Sequence, residues 1–91
     1  MVIEIGKFYA NDSNDLDNKE TNIIFVKSEE GSMKDCYSTE TMFLLNGEAE
    51  SIYKINWLSE FLRREATQEE IDLFNNQKTG ELKNWSELVS E

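Results

Sequence analysis

The sequence has no histidine and no proline, and it carries one cysteine and four glycines in 91 residues. Without histidine there is no imidazole base, so a Ser-His-Asp or Cys-His arrangement is excluded, as is a His-containing zinc finger. A lone cysteine excludes a disulfide framework and a redox Cys pair. The isolated glycines make no phosphate-cradling loop. Long apolar runs are also missing: Ile23-Ile24-Phe25-Val26 and Met42-Phe43-Leu44-Leu45 have strand length, far short of the ~18 residues that cross a bilayer. Met1-Val2-Ile3-Glu4-Ile5 puts an acid where a secretory signal carries cations, and with one unpaired cysteine the expected compartment is the cytoplasm.

Positive charge is scarce. There are 9 Lys and Arg against 19 Asp and Glu, a net charge of -10. The excess is spread along the chain, for residues 1–56 carry 11 acids and 5 bases and residues 57–91 carry 8 and 4. This exceeds the magnitude of ~2–8 that solubility asks of a small domain. Such a field repels nucleic acid and anionic lipid and attracts basic surfaces. Arg63-Arg64 is the only adjacent basic pair, too little for a groove that tracks phosphates, and it is expected to pair with acids such as Glu60.

Apolar residues make up 38% of the chain, enough for one shared core, and residues 1–91 are expected to form one domain. Residues 2–10 alternate as a strand interrupted at Gly6, and 11–22 are polar enough for a loop. Strands are expected over Ile23–Lys27, Asp35–Ser38 and Thr41–Leu45. Asn46-Gly47 then signals a type I′ hairpin, because both residues tolerate positive φ. Ile52, Ile55, Leu58 and Leu62 recur at helical spacing, so residues 48–65 could form one helix. The hairpin signal and the β-branched and aromatic residues favour a return strand within Glu48–Ile55. A short helix follows from Trp57, with Asn56 as its cap.

Thr67-Gln68-Glu69-Glu70 is a capping box, and its acids suit the positive end of a helix. Gly80 separates that helix from a last amphipathic segment marked by Leu82, Trp85, Leu88 and Val89. Strands followed by helices give an α+β fold. The expectation is a small antiparallel sheet or partly open barrel of four or five strands (residues 2–56). Two or three short C-terminal helices (57–65, 68–77, 81–89) follow it.

The candidate chemical motifs have plain structural readings. The loop from Asn11 to Glu20 invites calcium, yet counting from Asp12 puts Asp17 at the position needing glycine and Ile23 at the position needing glutamate. Cys36 has no histidine to activate it and reads as a small buried hydrophobe. Glu29-Glu30, Glu48 with Glu50, and Glu69-Glu70 lie where acids are hydrated, not in clefts that raise a carboxyl pKa. Tyr9, Tyr37, Tyr53, Trp57 and Trp85 read as core, or as interface anchors where exposed. Catalytic residues, metals and cofactors are therefore not expected.

Phe61-Leu62-Arg63-Arg64-Glu65-Ala66-Thr67-Gln68-Glu69-Glu70-Ile71 resembles the tail of small bacteriophage and mobile-element proteins, in which a short β domain precedes an EAT-x-EE-I helix start. Ile5-Gly6-Lys7-Phe8-Tyr9 resembles the first strand of SH3-like barrels. The resemblance implies a setting in which small acidic proteins bind and inhibit host or defence enzymes.

The expected function is a non-catalytic, acidic protein-binding module, a phage-type inhibitor acting by nucleic-acid mimicry. Its partner would be a basic, nucleic-acid-binding protein, with no direct nucleic-acid or membrane binding, and the chain would be a monomer or homodimer. Asp12, Asp15, Asp17, Glu29 and Glu30 are the expected contact residues, on the premise that two loops at strand ends present them together. The alternative is an assembly module that self-associates through the C-terminal helix around Trp85 and Leu88.

Overall fold

The computed structural model describes residues 2–14 and 19–89, the side chains of Asn14 and of 79–89 excepted. Five antiparallel strands form one sheet in the order β4-β3-β2-β1-β5. They are β1 (Phe8–Asn14), β2 (Lys19–Glu29), β3 (Cys36–Leu45), β4 (Glu48–Leu58) and the two-residue β5 (Arg64–Glu65). A 3-10 turn, Ser59–Phe61, links β4 to β5, and one helix, α1 (Gln68–Val89), ends the chain.

An α+β fold with an antiparallel sheet is what the sequence predicts; the inventory of helices is not. The expected helix over 57–65 is replaced by the end of β4, the 3-10 turn and β5. Leu62 is buried in one cluster with Trp57 packed against it, and the i,i+4 contact of Trp57 with Phe61 imitates a helix although the chain turns between them. Asn56 pairs with Ser38 within the sheet and caps nothing. The helices expected over 68–77 and 81–89 are one continuous α1, and Gly80 lies inside it. The strands expected over 35–38 and 41–45 are likewise one, β3.

The N-terminal strand starts late. Gly6 takes φ +87° and its N–H donates to the Val26 carbonyl at 2.8 Å, so pairing with β2 opens on an irregular contact before Phe8. The polar stretch 11–22 is mostly strand, since Asn11, Asp12 and Ser13 face Asn22, Thr21 and Glu20. Tertiary pairing overrides weak intrinsic β preference there.

Side chains alternate between the two faces of the sheet. On the helix face, Ala10, Ile23, Met42 and Leu44 pack under Phe74 of α1, with Phe8 and Phe25 beside them. Phe74 meets Phe8 edge-on at 5.2 Å between ring centroids. On the far face, Tyr9, Ile24, Val26 and Leu62 form a second cluster with Ile3 and Trp57. The Tyr9 hydroxyl ties down the N-terminal segment, accepting from the Glu4 N–H at 2.8 Å and donating to the Val2 carbonyl at 3.3 Å.

A hydrogen-bond chain runs through this far face. Thr39 donates to the Ile55 carbonyl at 2.7 Å, and Trp57 Nε1 donates to Thr41 at 2.8 Å. The 2.9 Å contact between the two threonine hydroxyls then has its direction fixed. Each hydroxyl has one proton, so Thr41 donates and Thr39 accepts.

Candidate functional site

The meander separates Asp12 from Glu29, two of the acids that the sequence suggests on one surface. Asp12 lies in β1 opposite Thr21, whereas Glu29 ends β2, eight residues along the same strand. At about 3.3 Å per residue they are roughly 25 Å apart. Consecutive loops of an antiparallel meander emerge at opposite ends, which the premise of a shared loop surface overlooks. Asp15 and Asp17 lie outside the described residues.

Asp12 is also neutralised. Arg64 Nε donates to its Oδ2 at 2.8 Å and Nη2 to Oδ1 at 3.1 Å, and the Thr21 hydroxyl donates at 2.9 Å. The hydrogen bond from Arg64 holds this carboxyl below its usual range despite partial burial. Arg64 further grips Glu70, so its partners are Asp12 and Glu70 and not the Glu60 expected from helical spacing. Glu29 is exposed opposite Tyr37. Glu30 accepts from the Ser32 hydroxyl and, at 3.1 Å, from the Ser32 N–H, which together hold its pKa down. Glu29 lines a shallow hollow of about 520 Å³ with the Gly31–Tyr37 stretch, where Met33 stands exposed.

Glu40 is the third neutralised acid. Burial pushes its pKa up, but the hydrogen bond from Lys78 at 2.6 Å and the charges of Lys78 and Lys27 outweigh this and leave it below the usual range. Cys36 is buried at the start of β3. Among the described residues no group of three His, Cys, Asp or Glu could hold a metal ion. Trp85 and Leu88, on which self-association would rest, have side chains outside the described set.

The opposite end of the sheet brings together residues the sequence reading did not combine. Asn46 and Gly47 turn the β3–β4 hairpin with φ of 52° and 85°, as the type I′ signal predicts. Asn46 also ties this turn to β2: its Oδ1 accepts the Lys19 N–H at 2.9 Å and its N–H donates to the Lys19 carbonyl at 2.8 Å. Leu45 then sits opposite Glu20 on one side and Glu48 on the other.

A register shift follows, since Met42 pairs with Ile52 but Leu44 pairs with Ala49. Two residues of β4, Glu50 and Ser51, therefore oppose the single Phe43, and the bulge turns Glu50 toward it. The result is a cleft of about 260 Å³ lined by Glu20, Phe43, Leu45, Glu50 and Tyr53.

Phe43 and Tyr53 form its aromatic wall, edge to face at 5.7 Å and 65°. Tyr53 is 53% and Leu45 40% exposed. Among the described residues no ion pair engages Glu20, Glu48 or Glu50. Asn22, opposite Phe43 in register and two residues from Glu20, is buried with its Oδ1 unpaired. Reading Glu48 and Glu50 as hydrated acids beside a turn left out the bulge. The available signal was the unbroken apolar run Met42–Leu45, which must place Phe43 and Leu45 on the face opposite Met42 and Leu44.

The chain matches no family model, no curated protein and no solved structure. Among the described residues no helix is long and apolar enough to cross a membrane.

Proposed function

We propose that this chain is a non-catalytic binding module that docks onto a cationic protein surface through the hairpin end of its sheet. The observation that carries this reading is the patch of half-buried Phe43 with exposed Leu45 and Tyr53, lined by Glu20 and Glu50, which no ion pair engages among the described residues. Aromatic groups supply contact area at little entropic cost, and rim carboxylates select and steer a basic partner. The net charge of -10 acts in the same direction at long range.

The scaffold suits such a role. The 3-10 turn and Leu62 carry the chain from one edge of the sheet to the other, where β5 joins β1. Inhibition by nucleic-acid mimicry is the narrower form of the proposal and needs a continuous track of free carboxylates. Asp12, Glu40 and Glu70 are withdrawn from any such track by Arg64, Lys27 and Lys78. Docking of a cationic segment at one end is the form the geometry favours.

Titration of the full chain with a fluorescent nonaarginine peptide tests this reading. Binding should weaken steeply between low and moderate salt, and Tyr53→Ala should weaken it at every salt concentration. Binding insensitive to Tyr53→Ala would reduce the effect to bulk charge and refute a docking site at this end.

A further inference from the structure

We infer that the Phe43–Tyr53 cleft receives one arginine side chain of the partner; this rests on the docking reading above and specifies its chemistry. Two features of the cleft converge on a guanidinium. The first is the aromatic wall, where the exposed Tyr53 ring, set edge to face against Phe43, offers a π surface to a cation. The second is the pair of carboxylates, Glu20 and Glu50, which line the same cleft from strands on either side of β3. A purely apolar occupant would strip water from both without compensation.

A group with several N–H donors in a plane can serve two carboxylates while lying against a ring. Guanidinium has five donors and is weakly hydrated, whereas ammonium has three and holds its water more tightly. Leu45, exposed beside Glu20, offers apolar surface for the methylene stem. Lys19, the nearest base on β2, is one residue out of phase with Glu20 and so belongs to the other face.

The test is an amide NMR titration of the full chain with the peptide Ac-Gly-Ser-Arg-Ser-Gly-NH2 and two analogues carrying lysine or citrulline in place of arginine. Saturable shifts should appear at Glu20, Phe43, Leu45 and Tyr53. Lysine should bind at least about threefold more weakly, since its ammonium has fewer donors and no plane to stack on the ring. Citrulline, isosteric but neutral, should bind at least about tenfold more weakly, since its hydrogen bonds lose their charge.

Tyr53→Leu and Glu50→Gln, both at exposed positions, should each abolish the preference for arginine over lysine. Equal binding of arginine and citrulline, or of arginine and lysine, would overturn the inference. Arginine-dependent shifts confined to the Glu29–Lys34 region would overturn it too, while leaving a cation-binding module in place. No response to any cationic peptide, nonaarginine included, would remove the module reading itself.

Discussion

Arg64 and Glu70 meet through two parallel hydrogen bonds, Nη1 to Oε1 and Nη2 to Oε2, both at 2.8 Å. The same guanidinium holds Asp12 through Nε and Nη2, so one side chain of β5 ties β1 to the first turn of α1. Glu70 is at the same time the acid of the capping box: its Oε1 accepts the Thr67 N–H at 2.8 Å, while the Thr67 hydroxyl accepts the Glu70 N–H at 3.2 Å. The start of the helix and its docking to the sheet thus share one carboxylate.

This sharing makes stability depend on acid pH. Hydrogen bonding from Arg64 is the main cause that lowers the pKa of both Asp12 and Glu70 below their ordinary values. A carboxylate depressed in the folded state contributes stability above its unfolded pKa, about 4, and that contribution is lost as pH falls through the depressed value. Arg64→Met should cost about 1–2 kcal/mol at pH 7, given the partial exposure of the pair. Urea unfolding of both proteins across pH 2–7 should show the difference closing below about pH 4. A difference independent of pH would mean that Arg64 acts through packing alone.

The Trp57–Thr41–Thr39–Ile55 chain should be sensitive to a change of almost no volume. Thr41→Val leaves the Trp57 N–H without its acceptor and Thr39 without its donor in a buried setting. The expected cost is about 1–3 kcal/mol in denaturant unfolding, with a shifted Trp57 indole N–H resonance in the folded variant. An unchanged unfolding midpoint would show that Thr41 is not holding the indole.

Among the described side chains of α1, Phe74 is the one in the buried cluster of the helix face, 1% exposed against Phe8 and Phe25. Phe74→Ala should cost about 3–5 kcal/mol and lower the helical circular dichroism before the sheet is lost. Loss of less than about 1 kcal/mol would mean that the helix is held mainly by the Arg64 contacts.

Local chemistry was legible in the sequence, and register was not. Asn46-Gly47 and Thr67–Glu70 each specify their own backbone geometry, and both are realised. The 57–65 segment misled because Trp57, Phe61 and Leu62 share a spacing with helices, although a strand end and a 3-10 turn produce it here. Asn11–Ser13 looked like loop because pairing with a polar partner strand leaves no hydrophobic alternation to detect. Asp12 and Glu29 lie apart because connectivity, not composition, decides which strand ends meet. The cleft depends on a bulge between Met42 and Leu44, and nothing local to Glu50 announces it.

The most direct measurement compares two double charge reversals of equal size at opposite ends of β2. Glu20→Lys with Glu50→Lys alters the cleft, and Glu29→Lys with Glu30→Lys alters the far loop by the same net charge. Their affinities for nonaarginine at moderate salt then separate site from field. The account predicts a loss of at least about tenfold for the cleft pair and no more than about threefold for the loop pair, since a screened distant charge contributes little. Equal losses, or the larger loss at Glu29 and Glu30, would contradict it.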